Sequence, residues 1–241
     1  MDKNVQKKDS KGTLHFGVKF RKFDLVYSIQ NLNVPVKLYD DVVVETNRGK
    51  EFGVIALIKK APNQKRRRRE IVVKKIVRIA SKEDKIVMDS LDDDENQVFQ
   101  LCVNKNKTYQ LPIRFLKVEK LFDGSRYVIY YKKQECNKKK IKKKINFQPL
   151  LDELRVFLGT KVVLNEVGSR GEAKIFCGMG HCGKNLCCVS WNSKGSAVSV
   201  KMAKSQGMPI NIRKLTGSCG RLICCLSYEK DNYQDGELIR D

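Results

Sequence analysis

Hydrophobic and polar positions alternate early in the chain. In Phe16-Gly17-Val18-Lys19-Phe20 the large apolar side chains recur at every second residue, the period of a half-buried strand. Val42-Val43-Val44-Glu45-Thr46 is a β-branched run, and Phe52-Gly53-Val54-Ile55-Ala56-Leu57 follows a turn at Asn47-Arg48-Gly49. Short β-rich runs bounded by Gly, Asn and Asp predict a small β-barrel or meander, a β-rich N-terminal subdomain over residues 12–62. Residues 1–11 are polar and charged and read as a flexible tail.

The pattern then changes period. Residues 71–79 read as extended. Asp92-Asp93-Asp94-Glu95 supplies the acidic start of a helix reaching towards Lys107, because carboxylates favour the helix N-terminus. Residues 113–122 form a strand pattern, Asp123-Gly124 is a hairpin signal, and residues 126–132 are the return strand. Leu150, Leu151, Leu154 and Leu158 place an apolar stripe on a helix over residues 147–158, ended by Gly159. Residues 161–164 are the last strand. The order β-α-β-β-α-β over residues 70–167 predicts a ferredoxin-like section in an α+β protein. Within it, residues 132–144 hold eight lysines against one glutamate, which no core can desolvate, so they read as a mobile loop or an extension of the strands.

Charge adds a class of partner. The 241 residues carry 49 Lys and Arg against 27 Asp and Glu, a formal net charge of +22. That excess favours polyanions or anionic membrane surfaces, against the plain alternative of a solvated basic surface. Two runs are candidate nucleic-acid contacts. One is Lys65, Arg66, Arg67, Arg68 and Arg69; the other is Lys138, Lys139, Lys140, Lys142, Lys143 and Lys144. Their cations would neutralise phosphates. No apolar run is long enough for a transmembrane helix, and the N-terminus lacks the apolar region of a signal peptide, so the expected compartment is the cytoplasm. There thiols stay reduced, and clustered cysteines read as metal or redox sites before disulfides.

Catalysis is not indicated. The only histidines are His15 and His181, and no orienting carboxylate can be placed beside either. Neither a phosphate-binding loop nor a dinucleotide fingerprint occurs. The expectation is a protein that is not an enzyme.

Chemistry concentrates in a duplication. Residues 180–191 reappear 37 positions later as residues 217–228, with the shared pattern G-x-C-G-[K/R]-x-[L/I]-C-C-[V/L]-S-aromatic. Six of the nine cysteines lie in these two C-x4-C-C motifs: Cys182, Cys187, Cys188, Cys219, Cys224 and Cys225. Cys177 is an additional candidate just upstream, Cys102 reads as core and Cys136 as incidental. Residues 168–230 are therefore a cysteine-rich metal module, and residues 231–241 a second tail. Thiolates select zinc, copper(I) or iron–sulfur clusters. The C-x4-C-C arrangement resembles no common zinc knuckle, whereas C-x4-C occurs among ferredoxin spacings. An iron–sulfur cluster is the favoured cofactor; Zn2+ stabilising an RNA-binding or ribosome-associated protein, or unliganded thiols acting in redox sensing, are the alternatives. The preferred ligand split takes two cysteines from each half. Lys184 and Arg221 can offset cluster charge. The endings Ser190-Trp191 and Ser227-Tyr228 read as packing between the halves or as an aromatic platform for bases.

Several segments together resemble a known family. They are residues 166–174, Gly178-Met179-Gly180-His181-Cys182-Gly183, residues 198–204, residues 217–225 and Tyr228-Glu229, joined by Thr46-Asn47-Arg48-Gly49-Lys50-Glu51-Phe52-Gly53 near the N-terminus. In this order they resemble the bacterial YaaT family, also called RicT, of proteins with a PSP-one C-terminal domain. The resemblance implies a regulator without catalysis. It implies [4Fe–4S] clusters in the complex, with the six matching cysteines as candidate ligands. It also implies partnership with small helical proteins of the YlbF/YmcA type and with the membrane-bound endoribonuclease RNase Y. The implied roles are mRNA processing and turnover, with effects on sporulation, competence and biofilm formation. Membrane association would be peripheral, through RNase Y. The basic runs are heavier than the family usually carries, which adds RNA as an expected direct contact.

Overall fold

The structure is a computed structural model that describes residues 14–20, 26–30, 35–60, 73–134, 145–190, 192, 197–234 and 237–238. The expected tail over residues 1–11, the basic runs Lys65–Arg69 and Lys138–Lys144, Cys136 and Trp191 lie outside these residues. The chain forms two compact units, Met1–Ser90 with Leu121–Asp123, and Leu91–Lys120 with Gly124–Asp241.

The first unit is a five-stranded sheet of β1 (Leu14–Lys19), β2 (Val26–Gln30), β3 (Asp41–Thr46), β4 (Lys50–Lys60) and β5 (Val73–Ile79), in the order β2-β1-β4-β3-β5. All pairings are antiparallel. The alternation read from residues 16–20 faces a core of Phe16, Val18, Phe20, Val42, Val44, Ile55 and Ile76. Neither a closed barrel nor a simple meander forms. Closure needs the edge strands to hydrogen-bond, and β2 and β5 remain edges among the described residues. The order departs from a meander because β4, 11 residues long, pairs with β1 along one side and β3 along the other.

The β3–β4 turn is clamped by its own side chains. The Thr46 hydroxyl donates to Glu51 Oε1 at 2.8 Å and accepts from the Arg48 amide at 3.0 Å. The Arg48 guanidinium closes on both Glu51 oxygens, at 2.9 and 2.6 Å. Gly49 sits at φ 151°, and Gly53 lies where a Cβ would stand 2.6 Å from Val18 Cγ1.

Helix α1 (Lys82–Tyr109) starts well before the acidic run at residues 92–95. Its start is a reciprocal cap. The Ser81 amide donates to Asp84 Oδ2 at 2.8 Å, and the Asp84 amide donates to Ser81 Oγ at 3.2 Å. Asp92 and Asp93 are exposed mid-helix, while Leu91, Glu95, Val98 and Cys102 form its buried stripe.

In the second unit β6 (Ile113–Lys120) and β7 (Arg126–Lys133) make the expected hairpin, with Gly124 at φ 67° in its turn. Helix α2 (Gln148–Leu158) then leads to β8 (Lys161–Glu166), which runs parallel to β7. Gly159 ends α2 in the left-handed conformation, its amide donating to Arg155 O at 2.9 Å. The sheet has three strands, β6-β7-β8, so the ferredoxin-like expectation is corrected. The strand that would have completed it is β5, which pairs with β3 instead. One core joins α1, the sheet and α2 through Val98, Cys102, Phe115, Ile129, Leu150, Leu154 and Val162. Lys132 and Lys133, read as the start of a loop, extend β7.

Candidate metal centre

Beyond β8 the chain breaks into short elements. They are α3 (Ser169–Phe176), α4 (Val200–Lys204), α5 (Ile212–Leu215) and α6 (Cys225–Tyr228). The terminal residues expected as a tail include a two-stranded ladder of β9 (Tyr233–Gln234) and β10 (Glu237–Leu238). Apolar residues of the second cysteine motif seat it locally. Leu222, Ile223 and Leu226 pack with Ala203, Leu215, Val198 and Met202, and Gln206 Nε2 donates to Leu226 O at 2.7 Å.

The duplicated sequence folds twice in the same way. In the first half Gly180 N donates to Lys184 O, Gly183 N to Gly180 O and Leu186 N to Gly178 O, at 2.8, 3.0 and 3.3 Å. In the second half the equivalent bonds are Gly217 N to Arg221 O, Gly220 N to Gly217 O and Ile223 N to Leu215 O, at 2.8, 2.9 and 2.9 Å. The bridges Met179–Asn185 and Thr216–Leu222 match as well. Each half is therefore a tight knuckle that turns at a glycine just after its first cysteine and presents the second and third cysteines on the return. After the knuckles the halves diverge: Cys225 begins helix α6, while Cys188 lies in a turn.

The six thiols are electrostatic neighbours across the two halves. Burial pushes the Cys187 thiol up, and Cys224 and Cys182 add to that. Burial also raises Cys188, against a lowering pull from the Lys174 ammonium, with Cys224 and Cys219 raising it further. Cys225 is raised by burial and then by Cys187. Lys174 is itself lowered by burial. Cys182 is exposed, Cys188 buried, and Cys187, Cys219, Cys224 and Cys225 are half-buried. Lys184 and Arg221, expected to offset charge, are exposed.

The donor chemistry suits a soft metal; the closure is incomplete. Among the described residues no three His, Cys, Asp or Glu side chains converge as ligands of one ion. Cys177 ends α3 at φ 58°, a strained conformation outside glycine. Its thiol donates to Lys174 O at 3.0 Å. Cys102 is fully buried in the α1–sheet–α2 core, its thiol pushed up to about 12 by burial. Tyr228, in the aromatic ending of the second motif, is 66% exposed.

A cleft of about 820 Å3 runs beside the knuckles, with Cys177 and Cys219 in its lining. One wall carries Arg114 and Lys132, which both pair with Glu172, and Phe176. Arg114, Lys132, Glu172 and Phe176 were not legible as site residues, because they come from β6, β7 and α3 and share no motif. Lys174 was equally hidden, since its closeness to Cys188 is non-local.

Comparison with known proteins adds the family context. The PSP1 C-terminal conserved region matches residues 74–167, from β5 to just past β8. The third domain of PSP1-like proteins matches residues 197–238, which include the second knuckle. The chain is also similar to the stage 0 sporulation protein YaaT of Bacillus subtilis (strain 168). The two are 30% identical over 220 residues, which span 90% of this chain and 76% of that protein. No solved structure matches the chain.

Proposed function

The chain belongs to the YaaT family of PSP1-like proteins, and on that premise we propose that it is a non-catalytic regulator that carries a [4Fe–4S] cluster. It acts as an adaptor in mRNA processing and turnover, directing the endoribonuclease RNase Y together with helical YlbF/YmcA-type partners. The B. subtilis relative is described as a stage 0 sporulation protein, and sporulation is the corresponding output proposed here. The protein works in the cytoplasm. No described helix is long and apolar enough to cross a membrane, so contact with the membrane runs through RNase Y.

The observation that carries the cluster is the pair of matched knuckles with electrostatically coupled thiols. Two matched knuckles with three cysteines each supply the soft donors that such a cluster takes. The incomplete closure also fits a cluster finished when a partner docks. The redox-sensor alternative uses the same thiols. Burial raises the Cys187, Cys188 and Cys225 thiols, whereas reactive cysteines need depressed values; metal ligands must ionise too, so metal and sulfide content decides between the two.

Anaerobic purification tests this, alone and with co-expressed helical partners, with iron, sulfide and zinc quantified and the visible spectrum recorded. Matching iron and sulfide with a broad visible band is expected. Zinc without iron would establish the structural-zinc alternative, and neither metal in either preparation would overturn the cluster.

A further inference from the structure

We propose that the cleft beside the second knuckle is a subsite for single-stranded RNA, taking a base on the Phe176 ring and flanking phosphates on Lys132 and Lys133. It rests on the RNA-adaptor role above and gives that role a place on the protein. Lys132 and Lys133 open the basic stretch 132–144 read in the sequence, and the cleft adds Phe176 to them.

Three features converge there. Phe176 closes α3 with 60% of its surface exposed, so its ring is a platform without a core to fill. The Arg114 guanidinium lies over that ring at 6.0 Å from the centroid and fixes its orientation. The cations are incompletely neutralised. Among the described residues Arg114 and Lys132 share the one carboxylate of Glu172, two cations against one anion. Lys133 pairs with Glu166, and both side chains are well exposed at 41% and 50%. Exposed pairs of this kind contribute little and exchange readily with a phosphate.

A stacking ring next to exchangeable cations is the recognition chemistry of single strands, whose bases are free to leave a stack. An acidic peptide would use the cations and leave the ring idle. The cleft volume of about 820 Å3 is within the range of small-molecule sites, enough for a nucleotide unit rather than a duplex. Cys219 and Gly220 line the same cleft. An RNA seated there touches the knuckle itself, and its affinity should report the state of the thiols.

The test is fluorescence anisotropy of the full chain with a short labelled oligouridine, across a salt series. Phe176→Ala should weaken binding about tenfold, and Phe176→Trp should restore it. The double variant Lys132→Gln, Lys133→Gln should make the logarithmic salt slope shallower by about 1.4, at about 0.7 per phosphate contact. Circular dichroism melts confirm that the variants are folded, and the anaerobic spectrum reads the cluster independently of RNA. Two outcomes overturn the subsite. In one, the cleft variants bind like the parent while a Lys138–Lys144 glutamine variant loses binding. In the other, Phe176→Ala has no effect and a length-matched polyglutamate competes as well as the oligouridine, which assigns the cleft to an acidic peptide. No RNA binding by the parent protein overturns it as well, and leaves the cluster standing if the spectrum is present.

Discussion

Gly183 and Gly220, 37 positions apart, hold the same left-handed backbone at φ 74° and 71°. Each donates its amide to the carbonyl of the glycine three residues earlier. A built Cβ meets nothing within 4 Å at either position, so the requirement for glycine is conformational and not steric. Alanine at either site should therefore cost about 1–2 kcal/mol, the penalty of an L-residue in that region. Urea titrations of the metal-free protein should give similar losses for Gly183→Ala and Gly220→Ala, and both variants should retain less iron. A loss confined to one half would mean that only one knuckle is needed.

The start of α1 predicts an acid-sensitive stability. The Arg78 guanidinium and the Ser81 amide hold the Asp84 carboxyl well below the usual carboxylate range. A depressed folded pKa means stability that is present above the unfolded value, about 3.9, and lost as pH falls below it. Asp84→Asn keeps an oxygen for the Ser81 amide but removes the charge facing Arg78, and should lower stability by about 1 kcal/mol at neutral pH. It should also flatten the decline as pH falls below about 4. Thermal melts of both proteins across that range check the sign, and a parallel acid decline in the variant would remove Asp84 as the cause.

Cys102 predicts the opposite pH limb. Burial in the α1–sheet–α2 core pushes its thiol up to about 12. A raised acid pKa leaves its contribution intact below the unfolded value of about 8.5 and erodes it as pH rises. The thiolate is the reactive form, so Cys102 should resist iodoacetamide in the folded metal-free protein while the exposed Cys182 reacts. Peptide mapping of alkylated cysteines reads this directly, and Cys102 should label only after denaturation.

Local pattern carried much of the fold. Helix α2, the β6–β7 hairpin and β8 follow from short-range signals: an apolar stripe closed by Gly159, and Asp123-Gly124 between two strand runs. The misses were questions of partnership. Residues 73–79 are extended as expected, but nothing in Val73–Ile79 says that its neighbour is β3. The acidic run at residues 92–95 looked like a helix start because its charge is conspicuous. The true start lay in the quieter Ser81-Lys82-Glu83-Asp84, a capping signal three residues apart. At the candidate site the repeat was plain in the sequence, and its two halves do share a backbone. The cleft was not, because Arg114, Lys132 and Phe176 are brought together only by packing α3 against β6 and β7.

The N-terminal signature Thr46-Asn47-Arg48-Gly49-Lys50-Glu51-Phe52-Gly53 invites a functional interpretation, and its geometry argues for a structural one. Glu51 is buried and gathers Thr46 and Arg48 around the β3–β4 turn. Gly53 is held by close approach, with Val18 Cγ1 at 2.6 Å and Lys19 O at 3.1 Å from a built Cβ. Glu51→Gln keeps the shape but removes the charge from the Arg48 bonds, and should cost about 1–3 kcal/mol. Gly53→Ala must displace β1 or β4, and should cost about 1–3 kcal/mol by overpacking. Both variants should melt earlier while binding as much iron per folded molecule as the parent, since the bonds of this turn run among Thr46, Arg48, Gly49 and Glu51. Denaturant midpoints and iron content measured on the same preparations decide it. A normal midpoint with lost activity in cells would instead make the turn a contact surface.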